Sequence, residues 1–224
     1  KTTYRCGKQI VEMAALLVPD FTAAPTNPEG TIRSIAQDAL LAEVAYGDFV
    51  LSRANAPLLP IAMTLLRAGR RARIAGRDIG RGLQALVSKL AKGAAANSVP
   101  AFIGRVESWC DRELTRAAQI KSEGARKAKR EFIQDQHDML LELAEGAISV
   151  GAIRASIEAL FTDDGLGDAG TVTLSSVHRA KGLEANRVFI LADTMRSGEI
   201  EEDNIRYVAI TRAKRELVLV YGEK

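Results

Sequence analysis

Apolar residues along this chain follow two kinds of spacing. Residues 172–174 and 188–192 are short unbroken runs of the branched and aromatic types that fill a sheet buried on both faces. Residues 48–52, 72–75 and 217–221 read as further strands. Elsewhere the apolar positions recur at helical spacing. Ile10, Val11, Met13, Ala14 and Leu17 predict a helix that Pro19 stops. After a turn-rich connector with Pro25, Asn27, Pro28 and Gly30, Thr31 is expected to cap a helix reaching about Tyr46, its stripe drawn by Ile32, Ile35, Ala36, Ala39, Leu40 and Val44. A helix over 58–68 follows the first strand. The middle of the chain is helical throughout. Leu83, Leu86, Val87 and Leu90 form one stripe, and Phe102, Ile103, Val106, Trp109 and Leu114 form another behind a Ser98 cap and Pro100. A third helix over 127–146 turns Phe132, Ile133, Met139, Leu140 and Leu143 inward, and Ser149 caps a fourth over 150–160. The acidic, glycine-rich stretch 163–170 reads as a linker back to the sheet. Near the end, Ile205, Val208 and Ala209 give a helix its buried side, and Glu201 or Glu202 suits the positive end of that helix better than a magnesium site. The pattern is an α/β domain interrupted by a helical segment.

Between the runs at 172–174 and 188–192, Ser175, Ser176, His178, Arg179, Lys181 and Glu184 crowd around Gly182. In open α/β sheets ligands bind beyond the carboxyl ends of strands, whereas an ordinary connection would simply turn such charges to water. Arg53 and Asn55 leave the end of another strand. They read either as a ligand contact or as a salt bridge and a helix cap. Arg67, Arg70, Arg71, Arg73, Arg77 and Arg81 stand against only Asp78, a cluster suited to phosphates or to a solvated rim. The basic run 121–130 is interrupted by glutamate and glycine and reads as a solvated helix face. Trp109 lies on an apolar stripe and belongs to a core. His137 has no histidine or cysteine at metal-ligand spacing.

The formal charge of +3 over 224 residues implies no partner by itself, and 47% hydrophobic residues supply a real core. Cys6 and Cys110 read as free thiols of a reducing compartment. No apolar run approaches the length of a membrane span. The chain opens on Lys1 rather than methionine, so it is expected to be a piece of a longer protein.

SSVHRAKGLE followed by IRYVAITRAKRELVLVY resembles the fifth and sixth motifs of superfamily 1 DNA helicases of the UvrD/Rep type. Ser176 stands where threonine is usual, while His178, Lys181, Gly182, Leu183 and Glu184 follow the first pattern. Tyr207, Val208, Ala209, Thr211, Arg212 and Ala213 follow the second. Thr3, Tyr4 and Arg5 resemble the fourth motif, with threonine in place of asparagine, and VLSRANAPL resembles an additional motif with Arg53 and Asn55.

The resemblance implies a RecA-like second motor domain formed by residues 1–82 and 165–224, with an inserted helical subdomain over 83–164 that is shorter than usual. It implies that Tyr4 stacks on adenine, Arg5 reaches the terminal phosphate, Glu184 accepts from the ribose and Arg212 meets the phosphate as an arginine finger. Arg53, Asn55, Ser176 and His178 would touch single-stranded DNA. The implied substrate is ATP, and the implied partners are single-stranded DNA and duplex junctions, with no membrane; the location is the cytoplasm or nucleoid. Movement would run from 3′ to 5′. No G-x-x-x-x-G-K-[ST] loop occurs in the sequence. An N-terminal motor domain carrying that Walker A loop would therefore hold most of the Mg2+, and the isolated chain is expected to be inactive. The other reading is a non-catalytic nucleic-acid-binding or protein-docking module that keeps the helicase fold.

Overall fold

The computed structural model describes residues 2–161 and 169–222. The chain divides into two compact units, one of Lys1–Ala75 with Asp163–Lys224 and the other of Gly76–Thr162. These breaks differ from the sequence boundaries at 82 and 164. Gly76 turns with φ 131, a conformation that side chains rarely adopt, and the division falls there rather than inside the following helix. The stretch read as a linker lies, up to residue 168, outside the described residues.

In chain order the first unit contains β1 (Thr2–Thr3), α1 (Lys8–Ala15), β2 (Thr22–Ala23), β3 (Thr31–Ala36), α2 (Gln37–Glu43), β4 (Phe49–Ser52), α3 (Leu58–Arg67) and β5 (Ala72–Ile74). The second unit is built of α4 (Arg77–Leu90), α5 (Val99–Ala117), α6 (Glu123–Ala144) and α7 (Val150–Leu160). The chain then returns to the first unit with β6 (Val172–Ser176), β7 (Ala185–Leu191), α8 (Ile200–Ile210) and β8 (Ala213–Tyr221). Apart from the short β1–β2 pair, the strands form one six-stranded sheet in the order β3-β8-β7-β4-β6-β5, parallel in every pairing. This is the α/β, RecA-like architecture.

The middle of the sheet is buried on both faces, with apolar residues at successive positions of β4 and in the second half of β7. Phe49 and Leu51, Val188 and Ile190, and Leu217 share one core with Ile10, Val11 and Ala14 of α1 and Ile205, Ala209 and Ile210 of α8. The alternate positions, among them Val50, Phe189 and Val218, point to the opposite face, where α2 and α3 cover the strands.

The helix expected over Thr31 to Tyr46 is instead a strand followed by a short helix. Thr31, Ile32 and Ile35 are β-branched, and Thr31–Ala36 pairs in register with Glu216–Tyr221 of β8. Arg33 reinforces the pairing by bonding Glu216 at 2.7 Å and Glu43 at 2.5 Å. The partner lies far along the chain, so local spacing misreads it.

In the second unit the caps are as the sequence indicates, with Ser98 accepting from Ala101 N and Ser149 from Ala152 N. Trp109 is buried with Phe102 and Val106. Phe132 departs from expectation: it is 54% exposed, and Lys129 Nζ lies 5.4 Å from its ring centre. The buried stripe of α6 runs through Ile133, Met139, Leu140, Leu143 and Ala144. Phe132 sits beside that stripe. Among the described residues, no helix is long and apolar enough to cross a membrane.

One joint in the first unit requires glycine on both sides. A Cβ on Gly7 would lie 2.6 Å from Gly30 Cα, and Gly30 itself has φ 74. The close approach lets Pro28 O and Glu29 O accept from the free amides of Lys8 and Gln9 at the start of α1. Gly7→Ala is expected to destabilise the fold by about 1–3 kcal/mol, because backbone rather than a flexible side chain must give way. Urea unfolding would show it as a lower midpoint at unchanged slope.

Candidate functional site

All the sheet's strands run in one direction, so it has an amino edge and a carboxyl edge. The site residues fall on both. At the carboxyl edge, β4 and β6 end side by side, Ser52 opposite Ser176. His178 is exposed just beyond, while Ser176 and Asn55 are buried. The Ser176 carbonyl accepts from the amides of Arg179 and Ala180, which turns the chain back towards the start of β7.

Arg53 is held in the fold. Its Nε and Nη2 donate to Glu202 Oε2 at 3.0 Å and Oε1 at 2.9 Å, a fork-to-fork ion pair whose side chains are 12% and 3% exposed. Its backbone amide also donates to Thr194 Oγ1 at 3.1 Å. Glu202 does sit in the first turn of α8, as expected, but it points inward to meet Arg53 rather than serving only the helix end. A signal for this was present in the sequence: Glu202, Ile205 and Ala209 share one helical face, and a carboxylate on an apolar face needs a buried cation.

The amino edge carries the other group. Glu184 immediately precedes β7, Arg212 immediately precedes β8, and the loop with Tyr4 and Arg5 lies alongside. Arg5 Nη1 donates to Glu184 Oε2 at 3.0 Å, and Lys214 Nζ lies 2.5 Å from Glu184 Oε1. Lys214 foremost, with Arg5, holds the Glu184 carboxyl below its ordinary value. Arg212 is half-buried and donates to Val208 O at 3.0 Å, Leu183 O at 3.1 Å and Thr211 Oγ1 at 3.3 Å. Each of those acceptors is neutral. Burial, and then the charge of Arg5, push its guanidinium below the usual value, although an arginine keeps its proton at physiological pH. Tyr4 is 77% exposed. Beneath this group Cys6 Sγ donates to Thr211 O at 3.6 Å, and burial raises its thiol, so it is a packed and unreactive cysteine.

The structure thus brings Arg5, Glu184 and Arg212 together at the starts of β7 and β8, away from the carboxyl edge where open sheets usually bind ligands. It places Arg53, Asn55, Ser176 and His178 at that carboxyl edge. The segment from His178 to Glu184 runs from one edge to the other. Lys214 and Asn27 also belong to the amino-edge group; the sequence marks Asn27 only as part of a turn-rich connector and Lys214 only as a residue before the last strand, since neither sits in a ligand-like spacing.

The residues at the amino edge fit a nucleotide. An exposed ring suits a base, two guanidiniums suit phosphate, and a carboxylate suits ribose hydroxyls. They do not fit a magnesium ion, because the carboxylate among them already faces two cations. Among the described residues, no group of three or more histidine, cysteine or acidic side chains stands close enough to hold a metal.

The arginines of the cluster are divided between the two units. Arg70 donates to Leu41 O at 2.9 Å and to Val44 O, so it closes the end of α2. Arg67, Arg71 and Arg73 remain in the first unit, and Arg77 and Arg81 belong to the second.

No curated protein matches the chain significantly. Residues 171–220, which contain β6, β7, α8 and most of β8 and carry Ser176, His178, Glu184 and Arg212, match the family model of the UvrD-like helicase C-terminal domain.

Proposed function

We propose that this chain is the second motor domain of an ATP-dependent DNA translocase and helicase. The observation that carries this reading is the meeting of Arg5, Glu184 and Arg212 at the amino ends of β7 and β8, inside or beside the segment that matches the helicase family. Tyr4 receives the adenine, Glu184 the ribose, and Arg5 and Arg212 the terminal phosphate. Another motor domain supplies the Walker A loop and most of the hold on Mg2+, whose part is to bind and neutralise phosphate oxygens.

Within this chain the work is electrostatic. The neutral acceptors around Arg212 aim its guanidinium without cancelling its charge, so it stays available to an anion that develops in the transition state. Arg5 and Glu184 are bonded to one another before nucleotide arrives. Lys214, 2.5 Å from the other carboxylate oxygen, keeps Glu184 in place. At the carboxyl edge His178, with Ser176, Arg53 and Asn55, forms the single-stranded DNA track. The crossover from His178 to Glu184 gives that track a direct connection to the nucleotide.

The test compares the 224-residue chain with the full-length protein that carries it. The chain alone is expected to bind ATP weakly and turn it over negligibly, while the full-length protein hydrolyses ATP with stimulation by single-stranded DNA. Robust turnover by the chain alone would contradict a shared cleft. Salt-dependent DNA binding by the full-length protein with no response to nucleotide would instead establish the non-catalytic module.

A further inference from the structure

The backbone on either side of Tyr4 and Arg5 is fastened by one buried amide. Asn27 is 6% exposed, and its Nδ2 donates to Thr3 O and to Cys6 O, each at 2.9 Å. Two carbonyl acceptors call for the amide nitrogen at that position, which sets the side chain's orientation. Other bonds tighten the same frame. Ala24 N donates to Thr3 O and Asn27 N to Ala24 O, while Gly7 N donates to Lys214 O, two residues beyond Arg212.

Between these fixed points the two side chains project outward, Tyr4 77% and the Arg5 side chain 63% exposed. A rigid backbone beneath an exposed ring and an exposed guanidinium is an arrangement made before the ligand arrives. It removes the ordering cost that a loose loop would bring to each binding event.

We propose that Asn27 is a positioning residue for the nucleotide: it presents the Tyr4 ring and the Arg5 guanidinium as one preformed platform. The inference rests on the function proposed above. It adds a residue that touches no nucleotide itself and lies outside the segment matched by the helicase family.

The test uses the full-length protein and measures ATPase kinetics, single-stranded DNA affinity and thermal unfolding for Asn27→Ala, Tyr4→Ala with Arg5→Ala, and all three together. Loss of two buried hydrogen bonds to the platform is expected to raise the KM for ATP about tenfold. DNA affinity should stay within about twofold in Asn27→Ala. Adding Asn27→Ala to the variant that already lacks both platform side chains should raise KM by less than about twofold, because the residues act as a unit. The melting temperature should fall by the same amount in both backgrounds. A purely structural asparagine would give the same further rise in KM in either background, and that result, or an unchanged KM in Asn27→Ala, overturns the proposal. Should Asn27→Ala fail to fold, Asn27→Ser keeps a hydroxyl donor and is judged by the same comparison. A parental protein that binds no nucleotide would overturn the proposed function and this inference together, whereas an active parent with additive losses would overturn the inference alone.

Discussion

Arg212→Ala in the full-length protein should lower DNA-stimulated ATP turnover by roughly 10³ to 10⁵, the range found for arginine fingers, while leaving single-stranded DNA affinity within a few-fold. The expectation rests on how the guanidinium is held. Val208 O, Leu183 O and Thr211 Oγ1 fix its direction, and none of them carries a charge that would neutralise it. Its field is therefore greatest where phosphate charge develops, which places the loss in turnover rather than in ground-state binding. Arg212→Lys keeps the charge but loses the planar fork, and it should recover little of the rate. Arg5→Ala should produce a related loss that does not add to the first if both meet one phosphate. Steady-state ATPase assays at saturating nucleotide and DNA, with circular dichroism to establish folding, provide the check. Near-parental turnover without Arg212 would make this arginine a strut between Leu183 and α8 and nothing more.

The second large effect falls on stability. Arg53→Ala leaves the Glu202 carboxylate buried without its forked partner, and breaking such a pair costs about 3–5 kcal/mol. That is a large share of the roughly 5–15 kcal/mol that holds a typical domain together. Chemical denaturation of the 224-residue chain should show it directly. Replacing both partners at once, Arg53→Met with Glu202→Leu, should return most of the lost stability, since apolar side chains of similar size bring no unpaired charge. A single variant that unfolds within about 1 kcal/mol of the parent would mean that water or another group compensates Glu202. The pair also decides how the proposed DNA contact is tested. Alanine at Arg53 would weaken DNA binding through unfolding alone, whereas the double replacement removes the guanidinium from a folded domain.

The parts of this structure that were legible in the sequence are those in which the local pattern and the final environment agree. β4, β6 and β7 are buried on both faces, so their apolar runs announce them. The helices of the second unit bury one stripe each, and serine caps mark three of their starts, Ser98 and Ser149 as the sequence indicates and Ser122 besides. The helical spacing over β3 misleads because an edge strand is half exposed and its identity comes from β8, which no local window contains. At the site, the motif residues could be read off in order, but their division between two edges of the sheet could not. That division depends on the parallel course of β6 and β7 and the return of the chain between them. Arg53 reads as a contact or an ion pair; the place of Glu202 on the helical face of Ile205 and Ala209 asks for a buried cation, and the packing of α8 against the end of β4 makes Arg53 that cation. Asn27 reads from the sequence only as a turn residue, since its two bonds are to main-chain carbonyls, which every sequence supplies.

The strand order has a consequence for how the domain comes into being. β3, β4 and β5 are all made before the second unit, yet no two of them are neighbours in the sheet. Each takes its place only beside β6, β7 or β8. A chain emerging from the ribosome therefore carries three unpaired strands through the synthesis of the whole helical unit, and none can begin the large sheet. β6 arrives first and joins β4 to β5; β7 then lies against β4, and β8, the last to appear, joins β3 to β7. The contacts that close the sheet span most of the sequence, the topology that folds slowly and leaves sticky edges open longest. For the same reason residues 171–220 do not make up a separable module. Cut out alone, they would keep β7 beside β8 but leave β6 with no neighbour, because the strand that belongs between β6 and β7 is β4.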